Sequence, residues 1–349
     1  MKLSQKCCVL LSVLLLISML FTGCSTNTGG DQQADDNQKT ADDYPTKPIR
    51  IIVGHSAGGG NDRAARILQP FLEEELGTSV VVENIDGAGG MIAATTIVRD
   101  EPDGYYIGAM NQPHLNFSMA LNDTIYEHGD LIPIWIEVKD PIIFAVKKDS
   151  PWNDFEDFIN AAKDNPGKYA IGVVANSGQQ ANALWLQSKL GLDHKVVTYA
   201  GGSQAAAALL GGHIDAIYGD AFSRYDMRDE LKCLGIASTE SSPLWPEGKP
   251  FNEQLKPYGL ELPVSEFGAR FGAYWVRKEL KEQYPERYEI LKTAFQNIAA
   301  NEEYRKKMDE AGQTPVLVLE DGEAYQDGFL KELNVIKEEL VPLFEQQKK

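Results

Sequence analysis

The chain has 349 residues, of which 24% are charged, and its formal net charge is −18. This length is sufficient for two domains. The negative charge argues against nucleic acid as a partner, because a phosphate backbone would be repelled. Three of the four cysteines fall in the first 24 residues, which leaves Cys233 alone in the remainder. We therefore expect no internal disulfide, and without a Cys/His cluster we expect no metal and no other cofactor.

The first 24 residues have the pattern of a bacterial export signal. Two lysines precede an apolar run, residues 9–20, that is too short to span a bilayer. The sequence Leu-Phe-Thr-Gly before Cys24 is similar to a lipobox, so we expect Cys24 to be lipidated and the protein to be anchored outside the cell membrane or in the periplasm. An ordinary secretory signal with a chance cysteine is the alternative. Removing the signal takes away two lysines and changes the net charge to −20.

Residues 25–43 contain no large apolar side chain. Such a segment cannot bury enough surface to offset the entropy lost on ordering. The sequence therefore predicts a disordered tether between the anchor and a folded region that starts at Tyr44.

From residue 44 onward, strand-like and helix-like patterns alternate in chain order. The first run predicts strands at residues 49–53, 79–83 and 105–110, with helices at 62–76 and 91–99. The second run predicts strands at 141–146, 169–174, 195–199 and 214–218, with helices at 154–162, 180–190 and 204–210. A last strand-like stretch, residues 267–276, precedes a tail that is predicted to be purely helical, at 283–301, 302–311 and 325–344.

Two runs of β-α units predict an α/β protein with parallel sheets and two lobes. We expect residues 44–141 and 264–349 to form lobe 1 and residues 142–263 to form lobe 2. Crossing segments are expected near residues 134–147 and 262–276, with the helical tail packed on lobe 1. Ligands of such sheets bind beyond the carboxyl ends of the strands, where the glycine-rich turns of this sequence fall.

The first such turn, Gly54 to Asp62, contains three consecutive glycines before a predicted helix. Glycine lets backbone N–H groups approach a ligand, and the start of a helix attracts anions. No Gly-Lys-Ser/Thr follows, so the turn is not a phosphate-binding P-loop. A simple connector without a ligand is the alternative.

The same turn also fits the G-x-S-x-G pattern of a hydrolase nucleophile, with Ser56 at its centre. That enzyme class needs strands and an oxyanion loop upstream, and the predicted fold starts only about five residues before this strand. His114, His194 and His213 are equally possible as the base. A secreted serine hydrolase therefore stays as an alternative to a protein without enzymatic activity.

Several motifs resemble the tripartite tricarboxylate transporter binding proteins, also called the Bug family, in order and spacing. They are Tyr44 to Val53, Gly58 to Arg66, Val81-Val-Glu-Asn84, Gly87-Ala-Gly-Gly90, Pro102 to Tyr105, Asn165 to Lys168, Leu210 to Asp215, and Asn301-Glu-Glu-Tyr304. The resemblance implies a two-lobed, periplasmic-binding-protein-like fold of type II with a ligand cleft between the lobes. It also implies a monomer that captures a small carboxylate solute for the permease subunits of a transporter. A sensor that presents the same solute to a membrane receptor is a further alternative.

The resemblance and the turns together give a set of candidate ligand-binding residues. These are His55, Ala57, Gly58, Gly59, Gly60, Asn61, Asp62, Asn111, His114, Asn176, Ser177, Gly178, Gln179, Tyr199, Ala200, Gly201 and Asp220. The last departs from the family, where Asn is common. One interpretation is that Asp220 selects an amine or hydroxyl on the solute, and the other is that it only caps a turn.

Overall fold

The computed structural model describes residues 44–238, 241–263 and 268–347. The predicted signal, Cys24 and the tether lie outside the described residues. In the described ranges, no helix has both the length and the apolar character that crossing a membrane requires.

The described residues contain ten strands that belong to one continuous sheet. Their bounds are β1 Ile49–Val53, β2 Val80–Asn84, β3 Tyr106–Gln112, β4 Leu131–Lys147, β5 Ala170–Val174, β6 Lys195–Tyr199, β7 Ala216–Asp220, β8 Leu231–Ala237, β9 Ala269–Arg277 and β10 Leu317–Asp321.

Twelve α-helices flank these strands in the described residues. Their bounds are α1 Gly60–Leu76, α2 Met91–Arg99, α3 His114–Leu121, α4 Phe155–Asp164, α5 Gly178–Leu190, α6 Gly202–Leu210, α7 Phe251–Gln254, α8 Lys278–Gln283, α9 Pro285–Ala300, α10 Glu302–Glu310, α11 Gln326–Val335 and α12 Val341–Gln347.

The long strand β4 belongs to two half-sheets. Its first part, up to Pro141, pairs with β9 and β10, and its second part, from Ile142, pairs with β7 and β8. The strand order is β2-β1-β3-β9-β4-β7-β5-β6. Parallel pairing occurs within β2-β1-β3 and within β7-β5-β6, whereas every partner of β4 is antiparallel to it. The two predicted β-α runs thus form the outer parts of the sheet and β4 joins them.

Helices cover both faces of each half-sheet. In β1, Ile51 and Val53 pack into a core with α1 and α9, while Ile52 points to the opposite face and packs against α2. This alternation is the usual consequence of the two-residue period of a strand. A strand that is buried on both faces is typically a nearly continuous run of apolar residues in the sequence. The apolar pattern therefore predicted the bounds of β1 correctly.

The sequence located only the second part of β4. Residues 131–140 were not predicted as a strand because Pro133, Glu137 and Asp140 interrupt the apolar pattern. The register between β4 and β9 shifts at two places between Pro133 and Val138. These bulges accommodate residues that a regular ladder would not. Helix α3 and strand β8 were also missed.

The prediction of a purely helical tail is wrong in one respect, since β10 lies in it and pairs with β4. Helices α9 and α10 pack against β1 and α1, as expected for a tail on the first half-sheet. Residues 336–344 extend further. Ile336, Leu340 and Phe344 join a core that contains α3 and α5, and the Trp185 Nε1–H donates to Glu339 at 3.1 Å.

We expect Glu323→Gln to destabilise the tail at neutral pH. Lys281 and Tyr288 donate to this carboxylate at 2.7 and 2.6 Å, and these bonds lower the pKa of Glu323 from 4.5 to about 2. A pKa that is lower in the folded state gives stability that is present above pH 4.5 and is lost as the pH falls toward 2. Urea unfolding should show a loss of about 1 kcal/mol at pH 7 and a smaller loss at pH 3.5.

Glu310→Gln is the matched control, because Glu310 is about half exposed and its ion pair with Lys307 at 3.2 Å lies at the surface. A surface pair of this kind contributes little. Equal effects of the two substitutions at pH 7 would contradict the role given to Glu323.

Candidate functional site: a cleft at the carboxyl ends of the strands

The loops that follow β1, β3, β5, β6 and β7 open onto one cavity of about 620 Å³. The first two strands belong to one half-sheet and the other three to the second. The cavity therefore has walls from both halves of the fold. Of the predicted residues, it is lined by His55, Gly59, Gly60, Asn61, Asn111, His114, Asn176, Ser177, Gly178, Gln179, Ala200, Gly201 and Asp220.

Four predicted residues do not line the cavity: Ala57, Gly58, Asp62 and Tyr199. Asp62 is buried, and its carboxylate accepts the Gly58 N–H at 2.8 Å and pairs with Arg66 at 3.0 Å. The Asp62 side chain therefore stabilises the turn before α1 instead of facing the cavity. Gly58 has φ of 76°, a conformation that favours glycine, so its function is to shape the turn.

The start of α1 faces the cavity with Gly59, Gly60 and Asn61. Gly59 precedes the helix and no side chain caps it. The first N–H groups of a helix have no partner within the helix, and its dipole is positive at this end. This wall of the cavity thus offers backbone donors that suit an anion.

Two neutral histidines lie beside that helix start. The Nδ1 and Nε2 atoms of His55 are 3.1 Å from Asn61 Nδ2 and 3.4 Å from Asn111 Nδ2, and the ring of His114 meets that of His55 edge to face at 5.9 Å. Burial, followed by Arg270, lowers the pKa of His55 to about 4. Burial, His55 and Arg270 lower the pKa of His114 to about 3. Neutral rings of this kind add no positive charge to the cavity at pH 7.

The opposite wall is the loop that leads from β5 into α5. Ser177 caps the helix by accepting the Gln180 N–H, and its own hydroxyl donates to Val174 O at 2.7 Å. Asn176 adopts φ of 52°, and its N–H donates to Gln180 Oε1 at 2.8 Å. Gln179 donates to Asp220 at 3.0 Å. Because these bonds hold the loop, its residues face the cavity in a fixed arrangement.

An arginine that sequence reasoning missed, Arg270 of β9, lies between the walls. Its guanidinium donates to Asn111 Oδ1 at 3.3 Å and lies 3.5 Å from Asp140 and 3.7 Å from Asp220. Asp140 is fully buried and accepts the Phe222 N–H at 2.9 Å. Burial and the neighbouring Asp220 raise the pKa of Asp140, and Arg270 opposes that rise.

This arrangement changes the interpretation of Asp220. Selection of a donor group by Asp220 requires its charge to be available to the solute, and Arg270 lies 3.7 Å from the Asp220 carboxylate. Asp220 also lines the cavity and holds Gln179, so it does more than cap a turn. Asp220 thus contacts both Gln179 and Arg270, and its selection of a donor group on the solute stays a prediction.

Other side chains that the sequence did not single out also line the cavity. Those with polar groups are Arg63, Asp86, Ser118, Asn122, Glu137, Ser203, Ser223, Arg224 and Gln313, and Ser56 of the G-x-S-x-G pattern lines the cavity as well. The Ser56 hydroxyl donates to the Asp86 carboxylate rather than to a histidine. Several of these residues lie near glycine-rich turns, which is the one signal in the sequence that could have indicated them.

Comparison with known proteins gives a consistent result. Residues 64–270 match the family model of the tripartite tricarboxylate transporter family receptor, TctC. A UPF0065 protein from the gbd 5′ region of Cupriavidus necator is 29% identical over 246 residues, which is 65% of this chain and 72% of that protein. A TctC solute-binding protein from Polaromonas superposes with a TM-score of 0.71 at 26% identity, covering 87% of this chain and 99% of that one. MatC from Rhodopseudomonas palustris, solved with bound malate, has the same fold with a TM-score of 0.61 at 19% identity, over 86% of this chain and 98% of that one.

We expect Gly60→Val to prevent solute binding without loss of stability. A Cβ at Gly60 would meet no atom within 4 Å, so the larger side chain would extend into the cavity and cover the helix start. Gly58→Val is the matched comparison. It lies outside the cavity wall but at φ of 76°, so it should cost about 1–2 kcal/mol of stability.

Calorimetric titration and thermal unfolding separate the two effects. If Gly60→Val binds solute like the wild type, the first turn is not part of the site.

Proposed function

The chain belongs to the family of tripartite tricarboxylate transporter receptors, and on that premise we propose that it captures a small carboxylate-bearing solute outside the cell for the permease subunits of a transporter. The family consists of solute-binding proteins, and the two-lobed α/β fold agrees with that of its solved members. The observation that carries the proposal is that α1 and α5 begin at opposite walls of one cavity.

The chemistry of the cavity favours a carboxylate. The uncapped start of α1 supplies N–H donors, the α5 loop supplies a second wall, and the cation Arg270 lines the same cavity. A charge-assisted hydrogen bond to a carboxylate is about twice as strong as one between neutral groups. The malate bound by MatC is an example of such a solute in a protein of the same fold.

We further propose that the half-sheets correspond to two lobes, with residues 44–141 and 264–349 in the first and residues 142–263 in the second. The change of partners between Pro141 and Ile142 in β4 supports the first boundary. The tail belongs to the first lobe in this proposal, although residues 336–344 also contact α5. A cavity with walls from both lobes would close when a solute bridges them.

Export and anchoring are proposed from the sequence of the first 24 residues. A lipid on Cys24 would keep the solute-binding region near the membrane, where permease subunits lie. The same lipid anchor would also suit a sensor that presents its bound solute to a membrane receptor. Permease genes adjacent to the gene for this chain would favour transport over sensing.

We propose that the protein is not an enzyme, and Ser56→Ala tests this. The Ser56 hydroxyl donates to the Asp86 carboxylate rather than to a histidine, which supports this proposal, because a serine nucleophile is usually activated by a neighbouring base. The variant should hydrolyse short-chain esters no faster and no slower than the wild-type chain, both at the background rate. Esterase activity that disappears in Ser56→Ala would make the hydrolase alternative correct.

The proposed function predicts that a carboxylate stabilises the purified full chain. We expect a thermal-shift screen of dicarboxylates, tricarboxylates, amino acids and aromatic acids to identify at least one stabilising solute. At 100 times its Kd, such a solute adds about 2.7 kcal/mol to the free energy of unfolding. Gly60→Val should show no shift with the same solute.

A screen in which no carboxylate stabilises the wild-type chain would contradict the proposal.

A further inference from the structure

The guanidinium of Arg270 is shared by more carboxylates than it can neutralise. It lies 3.5 Å from Asp140 and 3.7 Å from Asp220, and its charge also acts on the buried Glu137. The second cation at this place is Arg224, on which both aspartates act. In the part of the chain that the structure describes, this cluster therefore contains three carboxylates and two guanidinium groups, so it has an excess of negative charge when all of them are ionised.

The proposed solute would add to this excess. Arg270 lines the cavity, whereas Asp140 is fully buried and does not line it. A solute carboxylate can therefore reach the guanidinium from the cavity while Asp140 contacts it from within the protein. Each anion then weakens the interaction of the other with the shared cation, and like charges at close range disfavour the ionised form of a buried acid. Protonation of one carboxylate in the cluster would relieve this repulsion.

Asp140 is the carboxylate best placed to take up that proton. Its side chain is fully buried, and it has two polar contacts, with the Phe222 N–H at 2.9 Å and with the Arg270 guanidinium. Burial, followed by Asp220, raises the pKa of Asp140 from 3.8 to about 7, although the two polar contacts oppose the rise. The carboxylate of Asp140 therefore changes its charge close to neutral pH.

Other titratable groups near this cluster are less suited to the role. Glu137 accepts the hydroxyls of Tyr304 and Tyr274 at 2.7 and 3.2 Å, and these bonds oppose the rise in its pKa that burial causes. Burial lowers the pKa values of His55 and His114 to about 4 and about 3, so both rings stay neutral near pH 7.

We propose that Asp140 is a positioning residue that acts through Arg270, and that the protein takes up a proton from solvent at Asp140 when it binds an anionic solute. The inference rests on the proposed function, in which a carboxylate binds in this cavity. The proton forms an O–H bond with Oδ2 of Asp140, the oxygen that lies next to Arg270, while Oδ1 still accepts the Phe222 N–H. Asp140 thereby loses its negative charge, and the charge of Arg270 becomes available to the solute.

The direction of the pH dependence follows from this assignment. Below the pKa of the solute-free protein, Asp140 is already neutral and binding is strongest. As the pH rises through that pKa, binding has to recover the proton from solvent, so affinity falls. A bound anion that raises the pKa of Asp140 by about one unit lowers affinity about sixfold between pH 6.5 and pH 8.5, and it leads to uptake of about half a proton per solute at pH 7.5.

Calorimetric titration of the full chain purified in detergent tests the inference. The titrant is the tightest binder among malate, succinate, adipate, glutamate and benzoate, whose carboxyl groups are ionised at the pH values used. Titrations at pH 7.5 in Tris and in triethanolamine give the number of protons taken up, because these two cationic buffers have different heats of ionisation. Titrations at pH 6.5, 7.5 and 8.5 give the pH dependence of the affinity. We expect the proton uptake and the loss of affinity with rising pH described above.

Asp140→Asn keeps the size of the side chain and an oxygen that can accept the Phe222 N–H, but it cannot take up the proton. Its affinity should be the same at pH 6.5 and pH 8.5, and binding should take up no proton. At pH 8.5 it should bind the titrant more tightly than the wild type. A residue with only a structural role would instead lower the affinity at every pH.

Two further variants identify the group that takes up the proton. Glu137→Gln is the matched comparison, since Glu137 is another buried acid of the cluster, and this variant should retain the proton uptake of the wild type. Asp220→Asn removes a charge that raises the pKa of Asp140, so the pH at which affinity falls should move to lower values. This second measurement tests the inference even if Asp140→Asn does not fold.

Binding without proton uptake in the wild-type chain would overturn the inference and leave the proposed function intact. Proton uptake that persists in Asp140→Asn, or that disappears in Glu137→Gln, would assign the proton to another group and would also overturn it. Absence of binding to every carboxylate would instead contradict the proposed function itself.

Discussion

The organisation of the cleft depends on the pair formed by Asp140 and Arg270. These residues lie opposite each other in β4 and β9, next to the point where β4 exchanges one set of partners for another. Asp140 is fully buried, so its charge requires compensation, which comes from Arg270 and the Phe222 N–H. Arg270 in turn reaches Asn111 and Asp220. The guanidinium of Arg270 therefore contacts side chains of β3, β4 and β7. These contacts hold the two walls of the cavity in place relative to each other.

Local geometry explains how a strongly acidic protein would hold the carboxylate solute proposed for it. The net charge of −18 acts at long range, but salt screens it beyond about 8 Å under physiological conditions. Within the cleft, the first turns of helices act over a few ångströms, where the dipole is effective. The two histidines stay neutral because they are buried near Arg270, so they add hydrogen bonds and no charge.

The sequence predicted the parts of the fold that depend on local pattern. Strands β1 and β6 have the predicted bounds, and the turns after β1 and β5 lie at the cavity as expected. The residues that were missed depend on distant pairing. Asp140 and Arg270 are 130 residues apart in the chain and are brought together by the register of β4 and β9. The hydrophobic periodicity of the sequence carries no information about such a long-range pair.

The candidate residue Asp62 shows the opposite error. An acidic residue at a helix start can serve a ligand, a cap or its own loop, and the residue type does not distinguish them. In the structure, Asp62 stabilises its own loop, because its carboxylate accepts the Gly58 N–H and pairs with Arg66. Arg224 was missed because its environment arises from a short helical segment, Phe222–Met227, that places it under the start of α6.

The contacts of residues 336–344 have a mechanical consequence. Two bodies connected only along one strand can bend and also twist about that strand. Here the rings of Phe117 in α3 and Phe344 lie 5.5 Å apart, and Trp185 and Lys189 of α5 bond to Glu339. This attachment connects α5 to the tail through side chains that do not belong to β4. Closure of the proposed lobes around a solute therefore has to keep these contacts or break them, which adds a constraint that β4 alone does not impose.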